Sequence, residues 1–264
     1  MIPQFFQECA EVLVNEQIAR NVYLMSLSAP RIARACRPAQ FVQIRTDAGQ
    51  SPYLRRPFSA LRTDPEAGSI EVVYDAIGEG TRRMADAAPG HRLDILGPLG
   101  RAFVPPATGR LLLVAGGVGL VPLAFMAWFH RERRNDMVFL MGAASKDRMP
   151  EMDRVIPSDL CRWLATDVGS LGHTGPVTEL IREHVEQAGT RLLTCGPHAM
   201  MARVAEIAAE LRLPCLASLE NHMACGFGAC VGCVVEYRDA DREDHRYRRV
   251  CIEGPVVDAH AIVW

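Results

Sequence analysis

The residues best suited to chemistry are four cysteines near the end of the chain. Cys225, Cys230 and Cys233 follow the spacing C-x4-C-x2-C, and Cys251 comes after seventeen intervening residues. Four thiolates can hold a [2Fe–2S] cluster, and this spacing with a distant fourth cysteine is the plant-type ferredoxin pattern. Gly226, Gly228 and Gly232 are interleaved with the cysteines. Lacking a Cβ, they let the backbone curl round sulfur and turn N–H groups towards it. Two other readings use the same thiols. Structural zinc draws its ligands from two C-x2-C-like pairs, and only Cys230 and Cys233 form one. A disulfide framework suits chains too small to bury a core, whereas this chain has 264 residues.

Four upstream segments carry binding chemistry. In Arg55-Arg56-Pro57-Phe58-Ser59 a guanidinium can fork onto a phosphate, Phe58 offers an apolar face and the Ser59 hydroxyl can meet a polar ring atom. The same residues also read as a surface basic pair before a strand. Gly78-Glu79-Gly80-Thr81 makes an anion cradle at a helix start, and strand pairing could bring both segments to one diphosphate. Leu111 to Ala115 runs into Gly116-Gly117-Val118-Gly119, a glycine turn with Pro122 where a third glycine of G-x-G-x-x-G would stand. Proline suits the first turn of a helix, and the turn aims N–H groups at a dinucleotide pyrophosphate. Cys195-Gly196-Pro197 closes a later strand, the end at which open α/β sheets bind ligands. For a lone cysteine there, the favoured reading is a small buried hydrophobe.

These segments need two kinds of scaffold. Residues 1–108 alternate short strands with breakers, at Glu11–Val14, Val22–Leu27, Phe41–Arg45 and Ser69–Tyr74, which favours a small antiparallel barrel. Residues 109–213 alternate strands at 110–115, 137–141, 161–166 and 191–195 with helices near 121–134, 151–156, 176–187 and 198–211. That pattern implies a doubly wound parallel sheet. Residues 214–264 form a cysteine-bearing tail, in which Arg238 to Arg249 reads as a solvated hairpin, with partner docking as the lesser alternative, since Asp239, Asp241, Glu243 and Asp244 nearly balance its bases. The expected fold class is therefore a multi-domain β plus α/β chain with a small C-terminal cluster domain.

Composition excludes some functions. A net charge of −2 gives no electrostatic case for nucleic acid or an anionic membrane. Nine cysteines, an odd count, fit a reducing cytoplasm, and the N-terminus lacks the basic and apolar regions of a signal peptide. The nineteen uncharged residues from Leu111 to Phe129 are broken by Gly116, Gly117, Gly119 and Pro122, so they read as strand, turn and helix rather than a membrane span.

Taken in order, these motifs, with Leu96-Gly97-Pro98-Leu99-Gly100 between them, resemble the electron-transfer subunits of NAD-dependent dihydroorotate dehydrogenase, within the ferredoxin–NADP reductase superfamily. The resemblance implies an FAD held by Arg56, Pro57, Phe58, Ser59, Val73, Tyr74, Asp75, Gly80 and Thr81, with Cys225, Cys230, Cys233 and Cys251 ligating the cluster. It implies NAD at Gly116, Gly117, Gly119, Cys195 and Gly196. It also implies an FMN-containing catalytic subunit as partner, two copies of each. One departure bears on NAD. The family usually has an acid directly before Gly169; Val168 stands there with Asp167 beside it. Ser145, Lys146 and Arg148 after the second parallel strand could instead accept a 2′-phosphate.

The expected function is transfer of electrons from the partner's FMN through the cluster and FAD to NAD, in pyrimidine biosynthesis, with no acid–base residue on this chain. A related reductase subunit of the sulfide dehydrogenase or ferredoxin:NADP oxidoreductase type is the alternative. A zinc-stabilised interaction module is the alternative from another class.

Overall fold

The computed structural model describes residues 4–46, 51–186, 189–238 and 246–264. Six strands close into an antiparallel barrel: β1 (Phe6–Ala19), β2 (Val22–Ser28), β3 (Phe41–Arg45), β4 (Arg56–Asp64), β5 (Ser69–Asp75) and β6 (Arg92–Leu99), in the order β1-β2-β5-β4-β3-β6. Closure depends on the length of β1, whose first residues pair with β6 and whose later ones pair with β2. Register shifts at Val12/Val14 and Gln17/Ala19 let it bend between the two. Sequence periodicity exposes only Glu11–Val14 of this strand and none of β6. Alternation fills the barrel, with Val12, Leu27, Val42, Ile44, Val72 and Ile95 packed inside. Two short helices attach to it, α1 (Pro30–Ala35) and α2 (Glu79–Ala85).

The second unit is a sheet of β7 (Leu111–Gly116), β8 (Met137–Ala143), β9 (Cys161–Thr166), β10 (His173–Thr174) and β11 (Arg191–Cys195), all parallel. Every residue of β7 is buried, as a strand covered on both faces requires. Leu111, Leu113 and Ala115 pack with α3 (Leu120–Phe129), while Leu112 and Val114 pack with the helix His198–Glu210. Two expected helices come out short. The one expected at 121–134 stops at Phe129 and continues as a 3-10 turn, and that expected at 176–187 is a 3-10 turn followed by Ile181–His184.

The tail shares the sheet's hydrophobic core. β12 (Cys215–Ser218) pairs parallel to β11, and β15 (Val256–Asp258) pairs antiparallel to β12. Between them β13 (Val234–Glu236) and β14 (Tyr247–Arg249) form an antiparallel pair; the charged turn expected there falls largely on 239–245, outside the described residues.

The run from Leu111 to Phe129 is β7, a 3-10 turn and α3. Among the described residues no helix is long and apolar enough to cross a membrane. From Leu120 to Ala127 α3 is apolar all round because it is buried all round, with the sheet on one side and the barrel on the other. Its Phe125 is 1% exposed and belongs to the barrel core, not the sheet's. Phe125→Ala is therefore expected to cost about 3–5 kcal/mol, read as a lowered urea midpoint, with barrel and sheet probes shifting together.

Candidate functional site

β4 and β5 are neighbours in the barrel, so Arg56 to Ser59 and Val73 to Asp75 come to one rim. With Thr81 they line a cleft of about 560 Å³. Its far wall is Val118 and Val121, before and within α3, and Leu219 to Met223, the run that follows β12. An apolar cleft with a few convergent polar groups, at a junction of units, is the ordinary form of a cofactor site. Of the two arginines, Arg55 is spent on Asp94 at 2.7 Å, which leaves Arg56 to face the cleft. Gly80 stands against it: a Cβ there would lie 3.0 Å from Arg56 Nε and 3.0 Å from Thr46 Oγ1. The Thr46 hydroxyl is buried and has no partner among the described residues, which marks it as a further donor to an anion at this point. Nothing in the sequence flags a threonine just past a strand.

Local bonds hold the cradle in shape. Gly78 N–H donates to Thr81 Oγ1 at 3.1 Å, and Asn15 donates to the carbonyls of Met84 and Ala87 at the far end of α2. Asn15 also accepts from the Tyr74 hydroxyl at 2.9 Å. Burial keeps that phenol protonated well above its usual range.

A second cleft, of about 640 Å³, joins Gly116, Gly117, Gly119 and Gly196 to Asp75, Arg148 and Glu220. The two glycine turns meet backbone to backbone: a Cβ on Gly119 would lie 2.5 Å from the Cys195 carbonyl carbon. Cys195 itself lines neither cleft. It is 1% exposed, hydrogen-bonded to Ser218, and burial drives its thiol far above the ordinary value. It is the small buried hydrophobe of its alternative reading. Asp167 lines a third, adjoining cleft beside Gly116 and Gly142 to Ala144, while Val168 is exposed. Of the candidates for a 2′-phosphate, Arg148 is held by Asp75 at 2.7 Å and by the Arg20 carbonyl, and the Ser145 hydroxyl is held by Asp147.

The cysteine loop brings its sulfurs together in two pairs. Cys225 and Cys230 Sγ are 3.4 Å apart, and the Cys230 N–H donates to Cys225 Sγ. The Cys251 thiol is hydrogen-bonded to Cys233, because Val250 N–H donates to the Cys233 carbonyl at 2.9 Å. Gly226 and Gly228 take φ of 77° and 89°, as the curl requires. Gly232 serves by closeness instead, its Cβ position being 3.8 Å from Cys230 Sγ.

Burial opposes ionisation of Cys225, but N–H groups of Cys230, Phe227 and Ala229, with the Cys230 thiol, outweigh it and lower the thiol to about 7. Burial pushes Cys251 up to about 12, so its sulfur needs metal charge to become a ligand. Among the described residues no three His, Cys, Asp or Glu side chains gather round one ion. Four thiols gathered as two pairs fit the ligand set of a [2Fe–2S] cluster.

Comparison with known proteins agrees. Residues 220–263 match a family model described as the iron–sulfur cluster binding domain of dihydroorotate dehydrogenase B. The chain is 35% identical to the dihydroorotate dehydrogenase B (NAD(+)) electron transfer subunit of Desulforamulus reducens, over 97% of each chain. It is 36% identical to the Geobacillus thermodenitrificans subunit of the same name, over 97% of this chain and 98% of that one. The solved NADH-dependent reduced ferredoxin–NADP oxidoreductase superposes with a TM-score of 0.86 at 27% identity, covering 97% of this chain and 90% of that chain.

Glu220, where the matched segment begins, lines both of these clefts, and no local motif marks it. Its side chain opens onto the clefts, so by area it is exposed. Protein surrounds it nonetheless, and this burial, reinforced by the charge of Asp75, raises its carboxyl above the usual range. The folded chain thus keeps this proton to higher pH than the unfolded chain. Ionised Glu220 costs stability above the folded value; the cost fades as pH falls through it and is gone below the ordinary carboxylate range. Glu220→Gln should accordingly raise the melting temperature at neutral pH and leave it unchanged in acid, across a pH series of thermal melts.

Proposed function

The chain belongs to the family of dihydroorotate dehydrogenase B electron-transfer subunits, and from that premise we propose that it links a dihydroorotate-oxidising partner to NAD. When bound, a [2Fe–2S] cluster supplies one-electron transfer and FAD interconverts single electrons with the electron pair that nicotinamide takes. Cys225 with Cys230, and Cys233 with Cys251, hold the cluster. Arg56 and the Thr46 hydroxyl, with the helix start at Gly80 and Thr81, hold the flavin's diphosphate; Pro57, Phe58, Ser59, Val73, Tyr74 and Asp75 line its ring and ribose site. Gly116, Gly117, Gly119 and Gly196 receive the dinucleotide.

The observation that carries this reading is the common wall. Leu219 to Met223 line the flavin cleft, and Cys225 comes two residues further on. Electrons entering at the cysteine loop therefore have a short path to the barrel rim. NAD is favoured over NADP because Asp167 lines the adjoining cleft beside Gly116 and Gly117, where it can accept from a ribose 2′-hydroxyl, while Arg148 is committed to Asp75. The units 1–108, 109–213 and 214–264 divide this labour, with β12 and β15 anchoring the third to the second. The partner carries FMN, the assembly holds two copies of each chain, and the complex works in the cytoplasm.

A second reading, a reductase subunit serving another electron donor, draws on the likeness to the ferredoxin–NADP oxidoreductase. One experiment separates them. Chain purified anaerobically should contain iron and acid-labile sulfide, and should reduce NAD when dihydroorotate and the FMN subunit are supplied. Cys230→Ser should abolish that NAD reduction, yet spare dihydroorotate oxidation by an artificial acceptor. Undiminished NAD reduction in the variant removes the cysteine loop from the path.

A further inference from the structure

Gln43 sits in the middle of β3 and is 0% exposed. Val42 and Ile44, on either side, point into the barrel core, whereas Phe41 packs into the core shared by sheet and tail. Alternation along a strand puts Gln43 on Phe41's face, outside the barrel and against the tail. Neither Gln43 Nε2 nor Oε1 has a hydrogen-bond partner among the described residues. An unmet amide in a protein interior is costly, and buried polar groups in native folds nearly always have partners. A leucine would fill this space without that penalty.

The amide abuts the cysteine loop. A Cβ on Gly226 would lie 2.5 Å from Gln43 Nε2 and 2.7 Å from its Cγ, so Gln43 occupies the place a side chain at 226 would take. On the barrel side Gln43 pairs with Pro57 across the β3–β4 ladder, and Pro57 lines the flavin cleft. One buried amide thus spans the partition between the two cofactor sites, its polar end on the residue next to Cys225.

Building on the cluster assignment of the preceding subsection, we infer that Gln43 donates its side-chain N–H to anionic sulfur at Cys225, either the thiolate or an adjoining sulfide, and thereby sets the reduction potential of the cluster. Sulfur in such a site accepts hydrogen bonds and has none to give, which matches the donor end of an amide. A donor to sulfur stabilises the reduced, more negative state, one of the recognised means by which a protein raises a cluster's potential.

The test is a redox titration of the flavin- and cluster-loaded chain, followed by electron paramagnetic resonance. Gln43→Leu should move the cluster to lower potential while the flavin's potential stays in place. Gln43→Glu, which replaces the donor with a carboxylate, should move it further the same way. An unshifted cluster potential in Gln43→Leu, with iron and sulfide contents equal to wild type, overturns the assignment. Should both variants lose the cluster, the wild-type chain with 15N in its glutamine side chains decides. A 15N coupling to the reduced cluster is expected in pulsed spectra, and its absence overturns the assignment equally. Wild-type chain devoid of iron would instead remove the underlying cluster reading, and this inference with it.

Discussion

Pairing of β12 on both of its edges determines where the chain goes next. The strand is bonded parallel to β11 on one side and antiparallel to β15 on the other. A four-residue strand has little persistence of its own; held twice, it delivers Leu219 to Met223 along the mouth of the barrel. The cysteine loop inherits its position from that delivery. Arg249 then ties the loop back, donating to the Gly228 carbonyl at 3.0 Å. Sulfur, barrel rim and glycine turns come together because one short strand is fixed by its neighbours.

The same economy governs charge. Cys225 is prepared for anionic sulfur chiefly by backbone N–H groups, with the Cys230 thiol beside them and no counter-ion. Arg148 is neutralised across the junction by Asp75 while also holding the Arg20 carbonyl, so barrel and sheet are joined by the residue that a phosphate would otherwise attract. Glycines do the remaining work where two backbones must touch, as Gly119 does against Cys195.

What the sequence reveals follows from how local each signal is. The parallel strands are written in contiguous residues, and the fold reproduces them; the Arg56–Ser59 segment and the first three cysteines are equally local signals. Non-local pairings are harder. Cys215–Ser218 carries no strong strand pattern and Val256–Asp258 is three residues long; they become strands because each finds the other beside β11. β1 is fourteen residues of mixed polarity whose bends serve closure rather than alternation. Glu220 and Thr46 matter through what surrounds them, and Gln43 reads in sequence as an ordinary polar interruption of an apolar strand. Only the arrival of Gly226, from more than 180 positions later in the chain, gives that amide a context. Cys195 is the converse: its neighbours in sequence suggest a ligand site, and burial in the core shared by β7 and α3 removes it from the cleft.

The insertion of Phe125 into the barrel has a consequence for biosynthesis. All six barrel strands have left the ribosome once Leu99 is out, yet their interior still lacks a ring contributed by a helix that starts at Leu120. Translation at about 5–20 residues per second leaves a nascent barrel waiting, unsealed, for on the order of seconds. During that interval the barrel core lacks this ring, and the incoming helix acts as a stopper supplied by the next domain.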